Sequence, residues 1–235
     1  MGLQFIVWSA TGLYMVSMDI DYIHGDTLVN TQPNELTNKD AEQVQYTLKV
    51  LFKKFPKAHE LELTKLLDHP VYRFKDIDTL THKTIQRLVD AESGDVLSPL
   101  SKQQAGLIAR NALSSNLAKA NPSFKSITYI DKKPPFELSS RHLPVWRLDL
   151  TGLQSASLYV GVNNGLIVTK RHNAWRLFDW MFRFHIMDYS TGDVSNNLLL
   201  IFTVLSLLAS LTGLFLIYFK LLQPILKRVG RYEND

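Results

Sequence analysis

Residues 69–74 read His-Pro-Val-Tyr-Arg-Phe, and residues 143–148 read Leu-Pro-Val-Trp-Arg-Leu. A second matched pair follows: Val89-Asp90-Ala91-Glu92-Ser93-Gly94 and Val160-Gly161-Val162-Asn163-Asn164-Gly165. The first pair lies 74 residues apart and the second 71, so the middle of the chain carries an internal repeat. Pro70 and Pro144 are expected to open equivalent strands, where a missing backbone N–H is tolerated.

Working outward, short strand-like runs cover 60–67, 70–75, 84–90, 125–131 and 143–150. A hairpin joins 157–162 to 166–170, and Asn164-Gly165 at its tip carries the signature of a type I′ turn. A helix is expected over 37–54, capped by Thr37 or Asn38 and stopped by Pro56. Its apolar face is Val44, Leu48, Leu51, Phe52 and Phe55. A second helix, over 102–113, starts behind the capping-box pair Ser101 and Gln104. The pattern predicts an α+β fold: two tandem units, residues 37–114 and 115–172, each a helix covering a small antiparallel sheet.

The ends differ from the middle. Leu198 to Phe219 has 22 residues, 15 of them Leu, Ile, Phe or Val, and none charged. As a helix it spans about 33 Å, enough for a bilayer core of roughly 30 Å. Met1 to Met18 is also uncharged and gives a first membrane segment of about 27 Å. The expected plan is therefore a span at 1–18, a linker at 19–36, a second span within 196–219 and a basic tail at 220–235. The tail carries Lys220, Lys227, Arg228 and Arg231, whereas Asp19 to Asn38 has no Lys or Arg. This asymmetry puts both termini in the cytoplasm and the central domain outside. Small residues spaced four apart, Ser206 with Ser210 and Ala209 with Gly213, together with Gly12, suit close pairing of the two spans.

Composition excludes several classes. The net charge of +4 is scattered, with no basic track for nucleic acid. No cysteine is present, which rules out disulfides, thiolate metal sites and covalently attached haem. There is no G-x-G-x-x-G after a strand, no P-loop, no H-E-x-x-H and no histidine set with metal-ligand spacing.

The order Pro-Val-Tyr-Arg, Val-Asp-Ala-x-x-Gly and Leu-Ser-Pro-Leu-Ser-x-x-Gln-Ala over residues 70–105 resembles a PepSY domain. Leu-Pro-Val-Trp-Arg-Leu-Asp and Leu-Tyr-Val-x-x-x-x-Gly resemble its second copy. With the flanking spans, nearly the whole chain is similar to the PepSY-associated transmembrane family. That resemblance implies a bacterial inner-membrane protein with two spans and a periplasmic pair of PepSY units. It also implies a link to iron or siderophore uptake, in which some members bear haem or are fused to flavin reductase modules. Relatives usually carry a basic, His-containing segment ahead of the first span, which this sequence, starting inside the span, does not show. With no cofactor-binding motif for hydride transfer, electron transfer here would need a membrane or periplasmic redox protein as partner. The alternative is a non-catalytic membrane-anchored binding or regulatory module, or a transporter accessory.

Residues 173–190 form the richest local pattern, an aromatic helix beside the second span. Trp175, Phe178, Phe182 and His185 fall on one face, while Trp180, Phe184 and Met187 lie on the other side. Such a helix suits the membrane interface. The other reading, which follows the family's haem-bearing members, is a haem b site with His185 as axial ligand and the three aromatics as walls. His24 is then the second ligand, or else simply part of a turn leaving the membrane. His172, beside Lys170 and Arg171, is expected at the surface. Arg73 and Arg147 occupy equivalent repeat positions, as salt-bridged strand residues or as a shared anion contact.

Overall fold

The computed structural model describes residues 2–30, 36–78, 82–152, 155–188 and 197–225. In chain order the elements are α1 (Gly2–Ser17), α2 (Ile20–His24), α3 (Asn38–Glu42), α4 (Leu48–Lys54), β1 (His59–Leu66), β2 (His69–Ile77) and β3 (Thr84–Asp90). They continue with α5 (Lys102–Asn111), α6 (Ser115–Ala120), β4 (Phe124–Ile130), a 3-10 turn (Ser140–His142), β5 (Val145–Leu150), β6 (Ser157–Gly161), β7 (Ile167–Arg171), α7 (Asn173–Ile186) and α8 (Asn197–Ile217). The chain divides into two compact units, Met18–Phe178 and Met1–Ser17 with Asp179–Asp235, the division falling inside α7.

Unit Met18–Phe178 is α+β and holds two antiparallel sheets, ordered β1-β2-β3 and β4-β5-β6-β7. The sheets have matching register. Val71 faces Asp90 and Arg73 faces Leu88 in the first; Val145 faces Gly161 and Arg147 faces Tyr159 in the second. Just outside these pairs, Ala91 N–H donates to the Pro70 carbonyl and Val162 N–H to the Pro144 carbonyl. Each proline thus contributes an acceptor to the ladder at a place that asks nothing of its nitrogen.

The helices are tied down in the same way. Tyr46 and Leu100 immediately precede the N-caps Thr47 of α4 and Ser101 of α5. Tyr46 N–H donates to Ala91 O, and Leu100 N–H to Val162 O, each at 2.8 Å. Their carbonyls accept from Tyr72 Oη and Trp146 Nε1, each at 2.9 Å. The aromatic of each Pro-Val-aromatic-Arg stretch therefore anchors a helix start to a strand. Tyr46 makes these bonds from a non-helical bend, and so the continuous helix expected over 37–54 is split into α3 and α4.

Alternation along the strands sets the layers. Tyr72 and Phe74 pack with Leu51 and Phe55 in a small core under α4. Val71 and Leu88, on the other face, join Leu148, Leu158, Val160, Ala105 and Ile108 in the main core. Helix α5 thus covers the second sheet, although it lies within residues 37–114, the range the repeat assigns to the first unit. Ser101 and Gln104 form the expected capping box.

At the β6–β7 hairpin, Gly165 alone is left-handed (φ +66°) and Asn164 is not, so the connection is not a type I′ turn. Asn164 instead accepts from Leu166 N–H through its side chain at 3.0 Å. A Cβ on Gly165 would sit 3.1 Å from Leu66 Cδ1 and 3.4 Å from Leu88 and Leu100. Gly165→Ala is accordingly expected to lower unfolding free energy by about 1–2 kcal/mol in urea titrations, from backbone strain alone.

In the other unit, the apolar helix Asn197–Ile225 is long and apolar enough to cross a membrane, and none of it is buried. It comprises α8 and a π-helical turn, Tyr218–Leu222. It is the one such helix among the described residues. Helix α1 has 16 residues, about 24 Å, short of the roughly 30 Å of a bilayer core. The tail residues Lys227, Arg228 and Arg231 lie outside the described residues.

Candidate functional site

A cavity of about 640 Å³ forms a groove in the α+β unit. One wall runs from Gly165 along β7 to Arg171; another comprises Glu62, Thr64, Lys65 and Leu66 of β1, Leu67 beyond it and Arg73 of β2. His24 of α2 also lines it, as does Ile108 of α5. Its cations are engaged: Lys65 meets Asp40 at 3.2 Å, Arg73 meets Glu62 at 3.2 Å and Lys170 meets Asp26 at 2.5 Å. Asp26 and Asp40 both titrate below the ordinary carboxylate range, Asp26 chiefly through the hydrogen bond from Lys170, Asp40 chiefly through the backbone hydrogen bond from Thr37.

Arg147, the counterpart of Arg73, lies in a different setting. On the face of the second sheet away from α5, Glu137 accepts from Arg176 Nε at 2.7 Å and Nη2 at 3.0 Å, and from Tyr159 Oη at 2.6 Å. Asp149 accepts from Arg147 Nε at 2.9 Å and from the hydroxyls of Ser157 and Ser126, each at 2.7 Å. Burial pushes both carboxyls up, but these donors and the guanidinium charges outweigh it and hold both below their ordinary values. Burial and the Glu137 carboxylate push the Tyr159 hydroxyl up. Every acid in the cluster is bound to a cation, so the network holds the sheet together rather than offering a general acid or base. Arg73 and Arg147 are both salt-bridged. No sequence signal had singled out Glu137, which reaches these partners from the segment between β4 and β5.

The candidate haem residues are distributed over both units. His24, Trp175 and Phe178 belong to Met18–Phe178, whereas Phe182 and His185 belong to the helical unit. The ring of Trp175 is covered by the Arg171 guanidinium, 4.0 Å from its centroid. In the helical unit Thr11 Oγ1 lies 2.7 Å from Val7 O and 3.1 Å from His185 Nδ1. The Thr11 hydroxyl donates to Val7 O and lies within hydrogen-bond reach of the His185 ring. Trp8 Nε1 donates to the His185 carbonyl. A Cβ on Gly12 would lie 3.3 Å from His185 Cε1, so this glycine makes room for the imidazole. Of the small residues expected to pair the spans, Gly213 would meet nothing within 4 Å of an added Cβ. Helices α1 and α8 instead share a cavity of about 140 Å³ lined by Phe5, Trp8, Phe202, Ser206 and Ala209. That volume is well below the roughly 300–1,000 Å³ of cofactor sites, and His185 is not on its wall. The imidazole is packed against α1.

The chain matches no family model, no curated protein and no solved structure. Among the described residues no group of three or more His, Cys, Asp or Glu could hold a metal ion.

His172 is not at the surface, as its charged neighbours suggested, but almost wholly buried. Its Nε2 donates to the Tyr22 carbonyl at 2.8 Å, and its ring packs 5.1 Å from that of Tyr22. It ties α2 to the end of β7. His172→Ala is expected to destabilise the α+β unit by about 2 kcal/mol, through the lost bond and the space left behind; thermal melts of the purified chain would register it.

Proposed function

We propose that this chain is a membrane-anchored, non-catalytic binding module whose α+β unit takes up part of a partner polypeptide on the outer side of the membrane. The groove carries the reading. Its volume, about 640 Å³, falls in the range of ligand sites, and its walls offer strand backbone and neutralised charges. Two tandem PepSY-like units are the favoured description of the α+β part. What supports this is the shared register and the shared tethering of Tyr46 and Leu100. Membership of the PepSY-associated transmembrane family is part of the same proposal. Helix α8 is the principal anchor, and α1 is a second, shorter membrane segment that local thinning of the bilayer accommodates. The Lys and Arg distribution favours a cytoplasmic tail and an external central domain in a bacterial inner membrane.

The test uses native membranes. A polypeptide crosslinked to the wild-type chain should be lost with Thr169→Trp, which fills the groove, and retained with Lys132→Trp, away from it. Retention with both variants moves binding elsewhere; absence of any partner from wild type ends the module reading.

Haem-dependent electron transfer is the second reading, and the imidazole of His185, oriented by Thr11, favours it. The packing around that ring argues the other way. Purified chain expressed with ample haem is expected to show no Soret band. A band that disappears in His185→Ala would replace the first reading with the second.

A further inference from the structure

We propose that β7 is the docking edge of the groove: an extended segment of the partner polypeptide adds to the second sheet as a fifth strand beside β7. The inference rests on the module reading above and names the part of the partner that is recognised. Strand β7 is last in the order β4-β5-β6-β7 and, among the described residues, pairs with β6 alone. Alternate residues of such a strand turn N–H and C=O away from the sheet, and those groups call for a main-chain partner.

The lining of the groove shows which part of β7 faces it. A cavity on one face of a strand meets every second residue, because side chains alternate. This groove meets Ile167, Val168, Thr169, Lys170 and Arg171 without a gap; the register shift against β6 at Val168 accounts for one break in the alternation, and the rest of the run places the groove along the edge. At the far end the Lys170 carbonyl accepts from the Arg171 guanidinium at 2.9 Å, which leaves Ile167–Thr169 as the stretch to be paired. The wall opposite comes from the first sheet: Glu62, Thr64, Lys65 and Leu66 of β1, Leu67 beyond it, and Arg73 of β2, which faces Glu62; the Lys65 ammonium is held by Asp40. An added strand would hydrogen-bond on one side and lay its side chains against Thr64 and Leu66 on the other.

The occupant follows from the charges. Lys65, Arg73 and Lys170 already hold carboxylates, and Arg171 sits on Trp175. No cation on the groove asks for an acidic ligand. What remains is backbone plus a mixed hydroxyl and apolar wall, which suits an uncharged extended peptide with small polar and apolar side chains.

The probe is an end-blocked hexapeptide of alternating Thr and Val, labelled with fluorescein and titrated into the full chain in detergent. It is used unmodified, N-methylated at every second amide and N-methylated at every amide. The first two forms should bind alike, since one free edge suffices. The third should bind about tenfold more weakly or worse, from the loss of main-chain hydrogen bonds. Thr169→Trp should abolish binding of the unmodified form. Equal binding of all three forms would overturn the proposal, since side chains alone would then be read. Loss with the half-methylated form would overturn it too, because both walls would be pairing. Concentration-dependent dimers of the free chain that Thr169→Trp dissolves would make a second copy the occupant and overturn it likewise. No binding of the unmodified form, while the native partner still crosslinks in a Thr169-dependent way, would sink the edge pairing and leave the module reading standing. Failure of both sinks both.

Discussion

Glu137→Ala is expected to lower the unfolding free energy of the α+β unit by about 3 kcal/mol or more, the largest effect of any surface-loop residue here. The carboxylate is almost wholly enclosed and accepts two hydrogen bonds from Arg176 and one from Tyr159. Removing it leaves two guanidinium groups, Arg176 and Arg147, near each other and a buried hydroxyl without its acceptor. The same residue gives the unit an acid limit. Its carboxyl titrates below the ordinary value because the hydrogen bonds and charges of its partners outweigh the opposing effect of burial. A group whose folded pKa is depressed contributes stability that is present above its unfolded pKa, about 4.3, and is lost as pH falls through the folded value. Asp149 shifts in the same direction and adds to the loss. Urea unfolding between pH 3 and 7 should therefore show the wild type weakening below about pH 4.3. Glu137→Gln should be weaker at neutral pH and lose less on acidification. A variant as stable as wild type at pH 7 would mean that the Glu137 cluster contributes little.

The second large effect concerns the anchor. Fifteen residues of Leu198 to Phe219 are Leu, Ile, Phe or Val. At about 0.3–0.6 kcal/mol each they favour insertion by about 5–9 kcal/mol. Replacing Leu208 and Leu211, both exposed on α8, by Arg removes about 1 kcal/mol of this and adds about 5–7 kcal/mol against insertion. The double variant should leave the carbonate-resistant membrane fraction for the soluble or degraded one. Each single variant should stay largely in the membrane, because one Arg does not cancel the apolar sum. Carbonate extraction followed by immunoblotting distinguishes these outcomes; a membrane-bound double variant would remove α8 as the anchor.

Much of the fold can be read from local pattern. The strands follow from β-prone runs between breakers, and the Pro-Val-aromatic-Arg stretches point to paired strands because register and proline placement are local matters. The apolar span at 198–219 is legible from length and charge alone. What escaped depends on distant contacts. The break at residues 43–47 arises because Tyr46 bonds to Ala91 and Tyr72, 45 and 26 residues away. His172 looked exposed from Lys170 and Arg171, but those side chains are drawn aside by Asp26 and Trp175, leaving the imidazole to close over Tyr22. His185 stood out correctly as unusual, yet its partners Trp8, Thr11 and Gly12 lie at the other end of the chain. The groove had no signature, because it depends on how two sheets that are separate in sequence come to lie beside each other.

The central claim is that the membrane anchor displays the α+β unit on the outer face. The natural absence of cysteine makes it directly measurable. A single cysteine replacing exposed Lys119, in the last turn of α6, gives a reporter without background. Intact cells expressing Lys119→Cys are treated with a maleimide that cannot cross the inner membrane. The account predicts full labelling before permeabilisation and no gain afterwards. Labelling that appears only once the membrane is broken would place the groove in the cytoplasm and contradict it.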